Sequence, residues 1–518
     1  MQSRKKSLWV AAALIGVCGS TLTTIGAASA EDVHRGGALT VARPEDPVTL
    51  DPFIPSDNGS IYAIAQICEP LISADASGQG LEPGLAESWE VSPDGLTYTF
   101  KLRPGLVFSD GNKVTVEDAI FSIKKVADPS APYGFAFGPM QSAEKVDDST
   151  LRIVLKSPYA ALLSALSLFG SSVVEQKAYE KDPTAFGTNP ICTGPFKVKS
   201  YERGSQLVLV PNEHYWKKAP DGKPFPYLDQ VTLKYVPESN SRVLGLQNGD
   251  FDVATSIPPN QAAQVKAMDG VTLEVAPSYR LDYVYLNHSK PPLDNKNFRL
   301  ALNYAANREA IMKAVYFGYG EIANSFMPKV NFWSDKVQAI PFDIEKAKSL
   351  LKEANYNGET LHLMVDTGNA PSRQIATILQ QGWKQAGINA DIVEYDAGTS
   401  FSMVQKGDYE TYVSYITSDI NDSDELASLE ADQSGTTESF FPRYKSDEVQ
   451  GLLKQARETG DKDKRADLYA KIQDIVVHDG YSVPLNFLPY INAYHNNVQN
   501  WRNIAVGWWW LDQVWLKP

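Results

Sequence analysis

From Ala38 onward the chain alternates two kinds of hydrophobic pattern. Short runs rich in β-branched and aromatic residues are separated by stretches with apolar residues at helical spacing. Ala38 to Ala42 predicts a first strand, and Ile61 to Ile67 a helix. Trp89 to Val91 and Thr97 to Leu102 predict a hairpin, because Pro93-Asp94-Gly95 between them is turn chemistry. Thr115-Val116-Glu117-Asp118 fits a capping box, a hydroxyl followed three residues later by a carboxylate. The helix it opens places Ala119, Ile120 and Ile123 on one side. Thr150 to Leu155 alternates as a strand should, and Ala160 to Phe169 predicts an apolar helix.

The second half repeats the alternation. Lys197 to Tyr201 and Val231 to Val236 predict strands, Arg242 to Gly249 a helix and Phe251 to Ala254 a strand. This is βαβ grammar and predicts a parallel-leaning sheet. Tyr283 to Leu286 predicts a strand, and Phe298, Leu302, Ala305 and Ala306 form one face of a core helix. A second α/β unit follows. Asp343 to Glu353 is a helix, Leu361 to Val365 a strand, and Arg373 to Ala386 a helix capped by Ser372. Ile388 to Tyr395 is a strand, Ser400 to Lys406 a helix and Thr411 to Thr417 a strand. Helices at Glu448 to Glu458 and Lys462 to His478 precede a short strand at Val483 to Asn486. Asn503 to Trp515 closes the chain, its Trp508-Trp509-Trp510 run packing a last strand.

Length and composition narrow the picture. The chain has 518 residues, enough for two or three domains, with 43% hydrophobic and 21% charged residues. Its formal net charge is −14, and Arg4, Lys5 and Lys6 at the N-terminus leave the remainder more negative still. That argues against nucleic acid or an anionic membrane surface as the main partner. Residues 1–30 have the form of a secretory signal: these three cations, an apolar core from Leu8 to Val17, and Ala28-Ser29-Ala30 before a cleavage site after Ala30. The core is too short to span a bilayer. Beyond this segment two cysteines remain, Cys68 and Cys192. Export permits one disulfide between them, and two buried thiols are the alternative.

No nucleophile elbow, phosphate loop, CxxC or HExxH is present, and the six His are scattered. The chain is therefore read as a non-enzyme without cofactor or metal; an exported hydrolase is the competing class. Gly318, Gly320 and Ala323 follow a helix rather than a strand, so they are not a dinucleotide fingerprint. A calcium loop at Asp419 to Glu430 fails because its sixth position is Asp424 rather than glycine.

The wording of several segments goes further. AESWEVSPDGLTYTFKLRPG from Ala86, with the DG, T-x-E-D and F-S that follow, resembles the signature of the family 5 solute-binding proteins. These are the extracytoplasmic receptors of ABC importers for dipeptides, oligopeptides and nickel. Thr193-Gly194-Pro195-Phe196, the PNEHYW phrase from Pro211 to Trp216, and the helix following Pro291 are similar to the same family. The resemblance implies an α/β fold of the two-lobed periplasmic-binding-protein (flytrap) kind, with an extra subdomain on lobe one. Lobe I would comprise 31–72, 187–282 and 487–518, the extra subdomain 73–186, and lobe II 283–486. Pro129 to Phe137, rich in Gly and aromatics, is either a lid over the cleft or a packed surface loop of the subdomain, and is read as the loop.

The resemblance also implies a monomeric periplasmic receptor that binds a small-molecule or peptide ligand and docks on ABC importer permease subunits. The best binding candidate is the loop after the strand at Thr411, rich in carboxylates, because strand ends face the ligand crevice. In the peptide-binding relatives an Asp here pairs with the α-ammonium, and the shared pattern places it at Asp419. Ser418, Tyr415 and Asn421 accompany it, and Asp57 and Asn58 come from the first cleft loop. Asp422 and Asp424 read as helix caps. The dipeptide binders' arginine has no counterpart in Asp366-Thr367-Gly368-Asn369. Longer peptides, opines and oligosaccharides therefore stay open, and nickel chelates are disfavoured by the lack of clustered His.

Overall fold

The computed structural model describes residues 33–55, 57–75, 77–433 and 442–518. The signal segment and its cleavage site lie outside the described residues. Among the described residues one mixed sheet of eleven strands runs through the molecule. Its first half is ordered Ala390–Tyr395, Leu361–Asp366, Thr411–Ile416. Its second half is ordered Val253–Ala254, Ala38–Arg43, Gln230–Tyr235, Gln206–Pro211, Phe196–Glu202. Two long strands, Val271–Leu286 and Ser482–His495, lie antiparallel between the halves and belong to both.

These crossing strands are far longer than the four-residue segments expected at Tyr283 and Val483. The sheet is also less parallel than the βαβ pattern predicts. Ala38–Arg43 is parallel to both Gln230–Tyr235 and Val253–Ala254, as is Leu361–Asp366 to its two neighbours. The crossing strands and the edge hairpin are antiparallel.

A four-stranded antiparallel sheet carries the signature segment: Ala86–Val91, Thr97–Leu102, Thr150–Leu155, Met140–Lys145. The expected capping box forms, with Thr115 and Asp118 bonding reciprocally at the start of helix Val116–Val126. The expected helix at Ala160 to Phe169 is interrupted. It forms Leu162–Ala165, an extended Leu168, and a 3-10 turn Phe169–Ser171. Most of this stretch is apolar and buried, with Leu163 and Ser164 half-buried, so its packing and not its periodicity sets the backbone. Asn369, not Ser372, caps helix Ala370–Ala386 by accepting from the Ser372 N–H. The chain end holds a 3-10 turn Leu511–Gln513 and a two-residue strand Trp515–Leu516 in place of a longer strand. Trp508 and Trp509 are buried against this end.

Cys68 and Cys192 are joined as a disulfide. It ties the turn after helix Asn58–Ile64 to the Thr193-Gly194-Pro195-Phe196 motif. Gly194 is there for close approach: a Cβ would lie 2.4 Å from the Ile67 carbonyl oxygen, to which the Gly194 N–H donates. Asn212 donates to the Gly194 carbonyl. The hydroxyl of Tyr215 and the indole N–H of Trp216 both donate to Glu69, and Arg103 stacks over Trp216 at 4.1 Å. Three of the segments that carry the family resemblance, those at Ala86, Thr193 and Pro211, therefore converge on one structural knot.

One hydrophobic core, with Phe298, Leu302, Leu363 and Trp383 fully buried, fills the half around the strand at Leu361. A larger one links the first strand, the four-stranded sheet and the helices Asp447–Glu458 and Lys462–His478. Fully burying each such Leu or Phe side chain contributes about 1.5–3 kcal/mol.

Candidate functional site

The loop after strand Thr411–Ile416 leaves the sheet where the two halves meet. Helix Ser423–Glu430 follows, and Asp422 is its N-cap, accepting from the Asp424 N–H. Asp422 is also forked by Arg465 at 2.8 and 2.9 Å. Asp424 accepts from Tyr159, Arg457 and Tyr469. Glu425 folds back under the loop and accepts from the Asp419 and Ile420 N–H groups. Three of the loop's four neighbouring carboxylates are thus fully engaged in holding it. Ser418 is completely buried, its hydroxyl 2.6 Å from both the Ile420 carbonyl and Glu425. It braces the loop and cannot reach a solute.

Asp419 is different. Among the described residues only the Tyr133 hydroxyl donates to its carboxylate, at 2.5 Å. Asp419 is 8% exposed. Burial raises its pKa above the usual carboxylate value, with the Tyr133 bond opposing. Glu425 is raised too, first by burial and then by the charge of Asp419. Burial thus favours the protonated form of both acids, and the charge of Asp419 adds to the effect on Glu425.

Tyr133 comes from the segment expected to be a packed surface loop. It lies on the packed side, buried and edge-on against Phe169 with ring centroids 5.3 Å apart, while Pro129, Ser130 and Pro132 are exposed. Its aromatic residues fill the gap beside the interrupted helix.

Asn421 bridges three elements. It accepts from the Tyr279 hydroxyl and the Asn331 N–H, and donates to the Gln79 carbonyl. Asp57 caps helix Asn58–Ile64 through the Ser60 N–H, and its charge reaches the Tyr133 hydroxyl. The Asn58 carbonyl accepts from Arg43, which is sandwiched near the rings of Tyr62 and Trp509. Tyr415 is 45% exposed and lies under the guanidinium of Arg280 at 4.1 Å. The Tyr62 and Tyr490 hydroxyls lie 3.1 Å apart. Gly507, at φ +94°, passes so close that a Cβ would collide with the Tyr62 hydroxyl at 2.1 Å.

Beside Asp419 a cavity of about 490 Å³ opens between the two halves. Gln79, Leu81, Leu163, Phe332, Asn421 and Trp508 are among its walls. That volume suits a small organic solute. Among the described residues no group of three or more His, Cys, Asp and Glu is arranged to hold a metal ion.

Sequence reasoning missed Tyr133, Tyr62, Tyr490 and Arg280. The aromatic richness of Pro129 to Phe137 was the one signal available for the first of them.

A sheet shared by two lobes, with a cavity beside Asp419 where they meet, defines a two-lobed binding protein. Residues 80–438 match the bacterial extracellular solute-binding proteins, family 5 (middle). The chain belongs to that family. It is 30% identical over 461 residues to the glutathione-binding protein GsiB of Escherichia coli O1:K1, covering 87% of this chain and 89% of that one. It is 31% identical over 431 residues to the dipeptide-binding protein of Escherichia coli K12, covering 77% and 79%. Its fold is similar to that of DppA from Helicobacter pylori in complex with the peptide STSA. The TM-score there is 0.83 at 26% identity, over 94% of this chain and 99% of that one.

Proposed function

We propose that this protein is the solute receptor of an ABC-type importer and captures a peptide or peptide-like solute between its lobes. Family members are extracytoplasmic solute-binding proteins, not enzymes. The observation that carries the reading is Asp419, a buried carboxylate at the lobe junction with one hydrogen-bond donor and a cavity beside it. A solute's ammonium supplies the missing positive charge and the missing donors, a strong and orienting contact. Relatives that bind glutathione and dipeptides support this ligand class.

In this reading lobe I comprises 31–72, 187–282 and 487–518, the subdomain 73–186, and lobe II 283–486. The hydrogen bonds Tyr133–Asp419, Tyr159–Asp424 and Ala160 N–H to the Arg457 carbonyl then join subdomain to lobe II. They belong to a closed form and break on opening. Closure excludes water and strengthens each polar contact to the solute. A solute drives it only by binding the closed form better than the open one. The closed monomer docks on the permease in the periplasm, after export and cleavage behind Ala30. It carries out no catalysis and binds no nucleic acid.

An opine is the second reading. The fold is similar to AgaA in complex with agropinic acid, with a TM-score of 0.83 at 25% identity over 93% of this chain. A thermal-shift panel of di- to hexapeptides, glutathione, opines, oligosaccharides and nickel chelates decides between them. A solute at about 100 times its Kd adds about 2.7 kcal/mol. Shifts with peptides, lost on N-acetylation, support the reading; shifts confined to sugars or metal chelates overturn it.

A further inference from the structure

We propose that Arg280 is the cleft's second anchor, a specificity-determining residue that takes the carboxylate of a solute whose ammonium sits at Asp419. The inference rests on the peptide reading above and narrows it to solutes carrying both charges.

Three observations converge on Arg280. First, its strand is irregular where it meets the cleft. The pairing of Val271–Leu286 with Ser482–His495 shifts register between Ala276 and Arg280. In that interval the Tyr279 N–H leaves the sheet for the Ala505 carbonyl, and the Arg280 N–H turns to the Ser278 hydroxyl. Such a bulge re-aims the side chain that follows it.

Second, the guanidinium is held from behind and open in front. Its Nε donates to Asp282 at 2.8 Å and one Nη to the other Asp282 oxygen at 3.4 Å. Asp282 is itself buried and also receives the Tyr316 hydroxyl. The face of the guanidinium rests on the Tyr415 ring. The Arg280 side chain is 37% exposed against 8% for Asp282, so the acid lies behind the arginine and the arginine faces outward.

Third, this arginine is used unlike the protein's structural ones. Arg242, Arg299 and Arg308 each spend Nε and both Nη groups on partners inside the protein, nearly all of them carbonyl oxygens. Among the described residues every hydrogen bond from the Arg280 side chain goes to Asp282, which leaves Nη1 and one Nη2 proton directed away from it. Two parallel N–H groups on a rigid planar fork match a carboxylate.

Arg280 and Asp419 serve one site. Leu281 pairs with Ile416, three residues before Asp419, and the Arg280 guanidinium rests on Tyr415 of the same strand, so the arginine stands at the sheet end from which the Asp419 loop leaves. A solute spanning the two has its charges at opposite ends.

The test is calorimetric titration of the signal-free protein with di-, tri- and tetra-alanine as free acids, as C-terminal amides and as N-acetyl acids. On the unmodified protein the free acid of the preferred length binds about 10- to 100-fold more tightly than its amide, the size of a charge-assisted fork. Arg280→Gln removes that preference while N-acetylation still weakens binding, and Arg280→Lys restores part of it. Equal binding of acid and amide by the unmodified protein, with N-acetylation still harmful, overturns the role of Arg280 and leaves the peptide reading standing. Binding of no form overturns both. The acid–amide comparison needs no variant, so instability of Arg280→Gln cannot mask the answer.

Discussion

Replacing Asp419 by Asn tests the proposed ammonium anchor while keeping the side chain's shape and its acceptor for Tyr133. Truncating one partner of a buried charged pair costs about 2–5 kcal/mol of binding. The structure places this case in the lower half. Asp419 already resists ionisation through burial, and Glu425 beside it is raised by the same charge, so part of the attraction is spent on holding Asp419 ionised. We expect about 2–3 kcal/mol, or roughly 30- to 150-fold in Kd. The empty variant should melt at an equal or higher temperature, because a desolvated charge and its repulsion from Glu425 are both gone.

The same pair gives the prediction a second, independent arm. A bound ammonium favours the ionised form of both acids, so their pKa values fall on binding and a fraction of a proton leaves. Calorimetry in buffers of different ionisation enthalpy measures that fraction directly. Affinity should weaken as the pH is lowered through the range where Asp419 takes up its proton. An unchanged Kd for Asp419→Asn, together with binding heats independent of the buffer, would refute the argument.

Three further outcomes are expected. Glu69 and Glu430 are buried and each is pushed up to about 7, so the folded protein holds protons that the unfolded chain has released. Stability should therefore fall as pH rises from about 4.5 to about 7, by up to about 3 kcal/mol per group, and a melting temperature that is flat between pH 5 and 8 would contradict it. Replacing Cys68 and Cys192 by Ser opens a link between residues 124 apart in the chain and should lower urea stability by about 2–4 kcal/mol; an unchanged midpoint would count against it. Arg465→Ala strands Asp422, which is buried and forked by that arginine, and should cost about 3–5 kcal/mol in the same assay, where a loss below 1 kcal/mol would show that Asp422 finds another partner.

Much of the fold was legible because its elements are locally consistent: the capping box at Thr115, the hairpin at Pro93, and the glycines ending helices at 249, 387 and 407. The crossing strands were mostly hidden for a physical reason. Val271–Leu286 is half-exposed over its first residues and buried on both faces at its end, and a bulge between Ala276 and Arg280 shifts its phase. A period-2 pattern cannot survive that change of surroundings. The site was legible only where local grammar touches it. A strand end followed by an acidic loop pointed to the loop, and the resemblance to the peptide-binding relatives picked Asp419 within it. Nothing local points to Tyr133, which meets Asp419 across 286 residues of chain.

The motifs at Ala86, Thr193 and Pro211 and the residues around Asp419 are different sets. Arg103, Trp216, Tyr215, Glu69, Asn212, Gly194 and the Cys68–Cys192 disulfide form a knot inside the first half of the molecule. Their interactions are with one another, and they hold the frame. The residues around Asp419 come from separate stretches: Tyr133 reaches it across 286 residues of chain, and the Tyr62 and Tyr490 hydroxyls meet across 428. A change within the knot should therefore be felt first as lost stability, with ligand preference intact in whatever remains folded. A change at Asp419 should alter preference with little loss of stability, whereas a change at Arg280 alters preference and also takes a partner from buried Asp282. This is why resemblance alone carries the fold and the receptor class, while the choice of solute has to be read from the charges that face the cavity.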